Sequence, residues 1–85
     1  MRVTIKSWRD MEREYGTDIQ GDICPEMCDE CFTQEMAELC EEEVEIVKDE
    51  FNRVLAFDCE GNSWIIRPFM VEEKDLNKFL DFIND

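Results

Sequence analysis

The sequence predicts one α+β domain, a small curved antiparallel sheet with two or three short helices. Three observations carry that expectation. The chain has 85 residues, a length that fits one domain with a modest core. It is 44% hydrophobic, with two Trp and six Phe, which calls for a packed interior rather than an acidic disordered tail. Stretches that alternate apolar and polar residues are interleaved with stretches of helical period, and such mixed elements pack as helices on a sheet. The expected division is a strand and helix over residues 1–16, a cysteine-rich loop over 17–32, an acidic helix plus antiparallel strands over 33–70, and a C-terminal helix over 71–85.

Val3 and Ile5 alternate with Arg2, Thr4 and Lys6, a short strand signal. Ser7 followed by Asp10 reads as the cap of a first helix. That helix carries Trp8, Met11 and Tyr15 on one face and stops at Gly16, a residue suited to a left-handed cap. Gly21, Pro25 and the cysteines around them mark a loop. Thr33 is placed to cap a second helix with Met36, Leu39 and Cys40 inward, at i, i+3 and i+4. Glu35, Glu38, Glu41 and Glu42 then form its outer face, and Glu41, Glu42 and Glu43 fall at its C-terminus, the end where the helix dipole disfavours anions. Glu43-Val44-Glu45-Ile46 alternates as a strand with carboxylates outward. Phe51 to Phe57 and Ser63 to Arg67 read as two further strands joined at Glu60-Gly61-Asn62, a turn sequence. A last helix starts near Val71. Its stripe of Leu76, Phe79, Leu80 and Ile83 must pack on the sheet or on a partner, and Phe79, Phe82 and Ile83 could serve as a face for a weak dimer.

Charge narrows the function classes. Twenty-three Asp and Glu against nine Lys and Arg, with no His, give a formal net charge of −14. Direct binding to nucleic acid is excluded because phosphate contacts need cations, and anionic membrane surfaces are excluded likewise. The acidity is concentrated. Residues 1–13 carry net +2, residues 14–47 carry net −12 with no cation, and residues 48–85 carry net −4. A one-signed field of this kind steers a basic partner. The expected contact surface comprises Asp29, Glu30, Glu35, Glu38, Glu41, Glu42, Glu43 and Glu45.

Catalytic chemistry has little to work with. Without His there is no Ser–His or Cys–His pair, and three Gly do not make a phosphate-cradling loop. The chain is also too short for a doubly wound dinucleotide fold or a (β/α)₈ barrel. We expect a protein that is not an enzyme. No long apolar run or basic leader opens the sequence, so an export signal or membrane span is not expected, and the five Cys are expected to be reduced thiols. Cys24, Cys28 and Cys31, with Cys40 further on, offer four sulfurs for a tetrahedral zinc. A structural zinc is thus the alternative to a chain with no cofactor, and would give a metal-stapled accessory domain. Buried Cys40 and an unpaired Cys59 are the plainer reading of the other thiols.

Ile5-Lys6-Ser7-Trp8-Arg9-Asp10-Met11-Glu12, then Tyr15-Gly16 and Gly21-Asp22-Ile23, resemble the opening of small uncharacterised proteins from phages and prophages of Gram-positive bacteria. Phe32-Thr33-x-Glu35-Met36, Leu39-Cys40 and Gly61-x-Ser63-Trp64 extend the likeness over roughly residues 1–72. The resemblance implies a short helical part on a Src-homology-3-like barrel, and brings no established activity. Glu41 stands where the pattern leads one to expect glycine, and the cysteine-rich loop and the tail from Glu73 look like additions. Small acidic phage-encoded chains recur among inhibitors of bacterial defence, including anti-CRISPR proteins, several of which imitate nucleic acid. By that analogy the expected partner is a basic nucleic-acid-binding host protein such as a Cas effector nuclease. The expected location is the host bacterial cytoplasm.

Overall fold

A computed structural model of the chain describes residues 1–26 and 28–84. Four strands, β1 (Arg2–Thr4), β2 (Glu43–Lys48), β3 (Val54–Phe57) and β4 (Ser63–Ile65), form one antiparallel sheet in the order β1-β2-β3-β4. Two α-helices, α1 (Trp8–Tyr15) and α2 (Glu73–Asn84), and two 3₁₀ helices, Gln34–Leu39 and Pro68–Met70, complete the architecture. The α+β class is as the sequence predicts. No helix among the described residues is long and apolar enough to cross a membrane.

β2 organises the sheet. Its first half pairs with β1, Val3 opposite Val44, and its second half with β3, Val47 opposite Leu55. Val44 and Ile46 turn inward while Glu43, Glu45 and Val47 turn outward, the period-two alternation that fixes register. The regular strands stay open, with β1 and β4 as edges, so the sheet is not the closed barrel that the resemblance implies. The chain does return to the free edge of β1 after β4. Lys6 donates to the Met70 carbonyl at 2.8 Å, Glu72 donates to the Thr4 carbonyl at 2.9 Å, and Ile5 bridges Val71.

α1 forms as read. The Ser7 hydroxyl accepts the Asp10 N–H at 3.1 Å, and the Gly16 N–H closes the helix on the Glu12 carbonyl with φ of 71°. Met11 is buried and Trp8 packs on the core, but Tyr15 is exposed and meets the edge of Phe69 and the Lys6 ammonium. The β3 strand is shorter than expected because Asp49 nucleates a turn: its carboxylate accepts the N–H groups of Phe51 and Arg53 at 2.9 and 2.8 Å, which leaves Phe51 outside the sheet. α2 begins at Glu73, after a 3₁₀ turn that Pro68 opens.

The largest departure is the second helix. Residues 34–39 form a six-residue 3₁₀ helix and not an α-helix reaching Glu43. Met36 and Leu39, three apart, are buried in either geometry, since i and i+3 eclipse at three residues per turn. What ends the helix is tertiary. Cys40 bridges Ile5, the Glu41 N–H donates to the Ile5 carbonyl at 2.9 Å, and the Ile5 N–H donates to the Glu42 carbonyl at 3.1 Å. To make that turn Glu41 takes φ of 63°, the left-handed region that costs a side-chain-bearing residue roughly 1–2 kcal/mol. Glu41→Gly should therefore raise stability by about 1 kcal/mol, read as a higher midpoint in urea with an unchanged slope.

Thr33 does not cap this helix; its hydroxyl is buried without a partner among the described residues. Asp22 caps it from the loop instead, accepting the Gln34 N–H at 3.0 Å, while the Gln34 side chain donates to the Gln20 carbonyl. The same interval of loop is anchored by Ile23 and Phe32. Both are fully buried and exchange two backbone hydrogen bonds, at 3.0 and 2.8 Å.

Among the described residues, fifteen apolar side chains form one core, among them Ile5, Met11, Phe32, Ile46, Met70 and Phe79. α2 seats Phe79 in it, with Phe82 and Ile83 packed alongside, and leaves Leu80 at the surface. The apolar stripe thus packs on this chain's own core through Phe79, with Phe82 and Ile83 half-buried beside it. The Asp75 carboxylate ties α2 to β1 by accepting the Thr4 N–H at 2.7 Å.

Candidate acidic interaction surface

The structure separates the eight expected contact residues into two groups. Glu43 and Glu45 project from the outer face of β2, where β1 supplies cations: Arg2 lies 3.7 Å from Glu43 and 3.9 Å from Glu45, and the Met1 amino group pairs with Glu45. That amino group, first by hydrogen bonding, lowers the Glu45 pKa. Glu30 faces Arg67 at 4.0 Å. These carboxylates are partly spent within the fold. Glu35, Glu38, Glu41, Glu42 and Asp29 are exposed and make no ion pair among the described residues.

The expected ladder of carboxylates along one α-helical face is not formed, because the helix is 3₁₀ and ends at Leu39. Glu35 and Glu38 still share an edge, about 6 Å apart along the axis at a rise near 2.0 Å per residue. Glu41 and Glu42 follow in the turn that feeds β2. The conflict expected between Glu41–Glu43 and a helix dipole is absent for the same reason.

Glu38 and Glu42 line an open groove of about 290 Å³ between the 3₁₀ helix, β2 and the β3–β4 hairpin. Leu39, Val44 and Phe57 supply its apolar lining, and Asp58 and Cys59 complete it. No Lys or Arg among the described residues lines it. Leu39 and Val44 are nearly covered, while Phe57 is 50% exposed, so a large aromatic ring stands open between carboxylates.

Asp58 gives this groove a fixed charge. Desolvation pushes its pKa up, but the Trp64 indole N–H at 3.1 Å and the N–H groups of Asn62 and Glu60 outweigh it and hold the pKa at about 2. A depressed carboxylate contributes stability above its ordinary value of 3.8 and loses it as pH falls towards about 2. Asp75 is lowered too, chiefly by the Thr4 N–H. The chain should therefore lose thermal stability between pH 4 and about 2, and Asp58→Asn should make that loss shallower. Across the groove the Cys59 thiol donates to Glu38 at 3.4 Å. This bond, together with the Glu38, Asp58 and Glu60 charges, raises its pKa and keeps it protonated.

Matches to known proteins do not supply the function. No family model, curated protein or solved structure matches this chain. The reading rests on the geometry.

The four expected zinc ligands are not gathered. Cys24 and Cys31 are joined in a disulfide, Cys28 is free and half-buried, and Cys40 lies against the core at the Ile5 bridge. Burial raises the Cys40 pKa, partly offset by a hydrogen bond from the Trp8 N–H. In this oxidised form no group of three or more His, Cys, Asp or Glu among the described residues is placed to hold a metal. The expectation of five reduced thiols is corrected by the same bond. Cys24 and Cys31 meet because the Ile23–Phe32 pair brings the two ends of the loop together, a long-range constraint that spacing alone does not reveal.

Sequence reading missed Phe57 and Asp58 as members of the surface. The signal was the run Phe57-Asp58-Cys59-Glu60-Gly61-Asn62, in which an Asp ahead of a Gly-Asn turn anchors the turn's N–H groups and an aromatic residue precedes it on the exposed side.

Proposed function

We propose that this chain is a non-enzymatic interaction protein, phage-encoded by its resemblance, that sits on a basic nucleic-acid-binding surface of a host bacterial protein and blocks it. The observation that carries the reading is the groove between Leu39, Val44 and Phe57, edged by Glu38, Glu42 and Asp58 and without a cation in its lining. Interfaces concentrate affinity where an aromatic anchor is desolvated inside a polar rim, and an anionic rim selects and steers a cationic partner. Glu35 and Glu41 extend the unpaired charge beyond the groove. Arg-rich channels that bind phosphates would pair with these carboxylates by charge-assisted hydrogen bonds. The return of residues 70–72 to β1 supports reading the sheet as an incomplete Src-homology-3-like barrel that presents this face.

Competition tests the reading. The immobilised chain, exposed to lysate of a Gram-positive bacterium at low salt, should retain a nucleic-acid-binding protein, and excess duplex DNA or guide RNA should displace it. A retained protein that still binds its nucleic acid while held by the chain would overturn mimicry.

A further inference from the structure

The 3₁₀ helix Gln34–Leu39 borders a second recess besides the Phe57 groove. At three residues per turn its side chains fall in three rows. Met36 and Leu39 are buried, Glu35 and Glu38 share one exposed edge, and Gln34 and Ala37 share the other. On that other edge lies an open recess of about 490 Å³, lined also by Trp8 and Glu12 of α1 and by Thr17 and Gly21 of the loop that follows. Trp8 and Glu12 stand four residues apart, one turn along the same face of α1. The volume is within the range of small-ligand sites.

Local bonds hold the Gln34 wall in place. Its Nε2 donates to the Gln20 carbonyl at 3.0 Å, and its backbone N–H donates to the Asp22 carboxylate at 3.0 Å. A Cβ on Gly21 would stand 2.4 Å from Nε2, so it is a glycine that lets this side chain lie against the loop. With its nitrogen used, the amide keeps Oε1 as an acceptor. Glu12 is exposed and makes no ion pair among the described residues. Arg13 of the same helix is taken up by Asp10 at 3.1 Å, and no Lys or Arg among the described residues lines the recess.

We propose that this recess binds a guanidinium group, paired with Glu12 and packed against Trp8. The sign of the guest follows from the field: residues 14–47 carry net −12, which repels anions and gathers cations. Its kind follows from the lining, which offers an indole, a carboxylate, an amide carbonyl and the Thr17 hydroxyl. Guanidinium is planar and weakly hydrated, stacks on aromatic rings and carries five N–H donors in a fork. It can therefore lie on an aromatic wall and still donate to acceptors around it. An ammonium is a compact, strongly hydrated point charge and gains less from such a wall. None of the lining residues belongs to the Phe57 groove, so the site is independent of the function proposed for that groove.

The probe is an N-acetylated, amidated glycyl-arginyl-glycine peptide, titrated into the isotope-labelled full chain at about 0.15 M salt, where distant charges are screened. The two tryptophans, Trp8 and Trp64, give separate indole N–H signals in the nuclear magnetic resonance spectrum. The Trp8 signal should move saturably and the Trp64 signal should stay. The lysine peptide should bind at least about threefold more weakly, and the citrulline peptide, of the same shape without the charge, should not bind. Glu12→Gln should weaken the arginine peptide by at least about threefold. Glu50→Gln removes an equally exposed charge beyond the far end of β2, more than about 15 Å along the strand, and should change nothing. Methylguanidinium carries the head group alone. Saturation at lower concentration than the peptide supports a free guanidine as the guest, and the opposite order supports an arginine of a polypeptide. Signal dispersion reports that each variant stays folded. A stationary Trp8 signal, equal binding of the lysine or citrulline peptide, or equal effects of Glu12→Gln and Glu50→Gln would each overturn the proposal.

Discussion

Phe79→Ala is expected to destabilise the domain by about 3–5 kcal/mol, a large share of what a chain of this size has. Native domains hold roughly 0.05–0.15 kcal/mol per residue, so the whole fold stands on a margin of about 4–13 kcal/mol. Phe79 is fully buried and is the side chain by which α2 is seated against the sheet. Its removal leaves a cavity that Phe82 and Ile83, packed alongside, fill only in part. The variant should be largely unfolded at 37 °C or melt far below the parent, read by circular dichroism. Phe51→Ala is the matched control. Phe51 is 69% exposed and stacks on Arg53, so its loss should stay within about 0.5 kcal/mol. Equal losses from both would mean that α2 is not seated on the core.

Sequence periodicity was most informative where local rules and tertiary needs agree. Ser7 and Gly16 bound α1 as their cap chemistry dictates, and Glu43-Val44-Glu45-Ile46 alternates as its burial requires. It was least informative where a distant segment decides. Met36 and Leu39 suit an α-helix and a 3₁₀ helix equally; the choice was made by Ile5, which draws Cys40 to Glu42 into backbone pairing. The cap at Thr33 was displaced by Asp22, twelve residues from the N–H of Gln34 that it accepts. Of the candidate surface, Glu38 and Glu42 were legible as outward carboxylates. Phe57 and Asp58 join them only through the β2–β3 pairing. The neutralisation of Glu43 and Glu45 likewise depends on β1 lying beside β2.

Charge reversal at the groove should have the largest effect on binding. Glu38→Lys with Glu42→Lys places two cations where the lining has none and should weaken the partner complex by at least about a hundredfold, since like charges across an interface cost several kcal/mol. Both residues are exposed, so the fold should survive, as circular dichroism and the urea midpoint would show. Phe57→Ala should weaken binding as well, by more than 1 kcal/mol if the ring is an anchor, with little change in stability because half of it is already exposed. Glu43→Lys should matter less, because Arg2 already offsets that charge. A complex that tolerates the Glu38 and Glu42 reversals but fails on Glu43→Lys would move the contact surface to the outer face of the sheet.

The central claim is that unpaired carboxylates around the Phe57 groove are what a basic partner reads. It is tested most directly by the dissociation constant of the complex with the captured protein, measured by titration as salt rises from about 50 to 200 mM. Screening of exposed charges over this range predicts binding weakened by at least about tenfold, with the dependence reduced in the Glu38→Lys, Glu42→Lys variant. A dissociation constant that stays flat across the range would contradict the account.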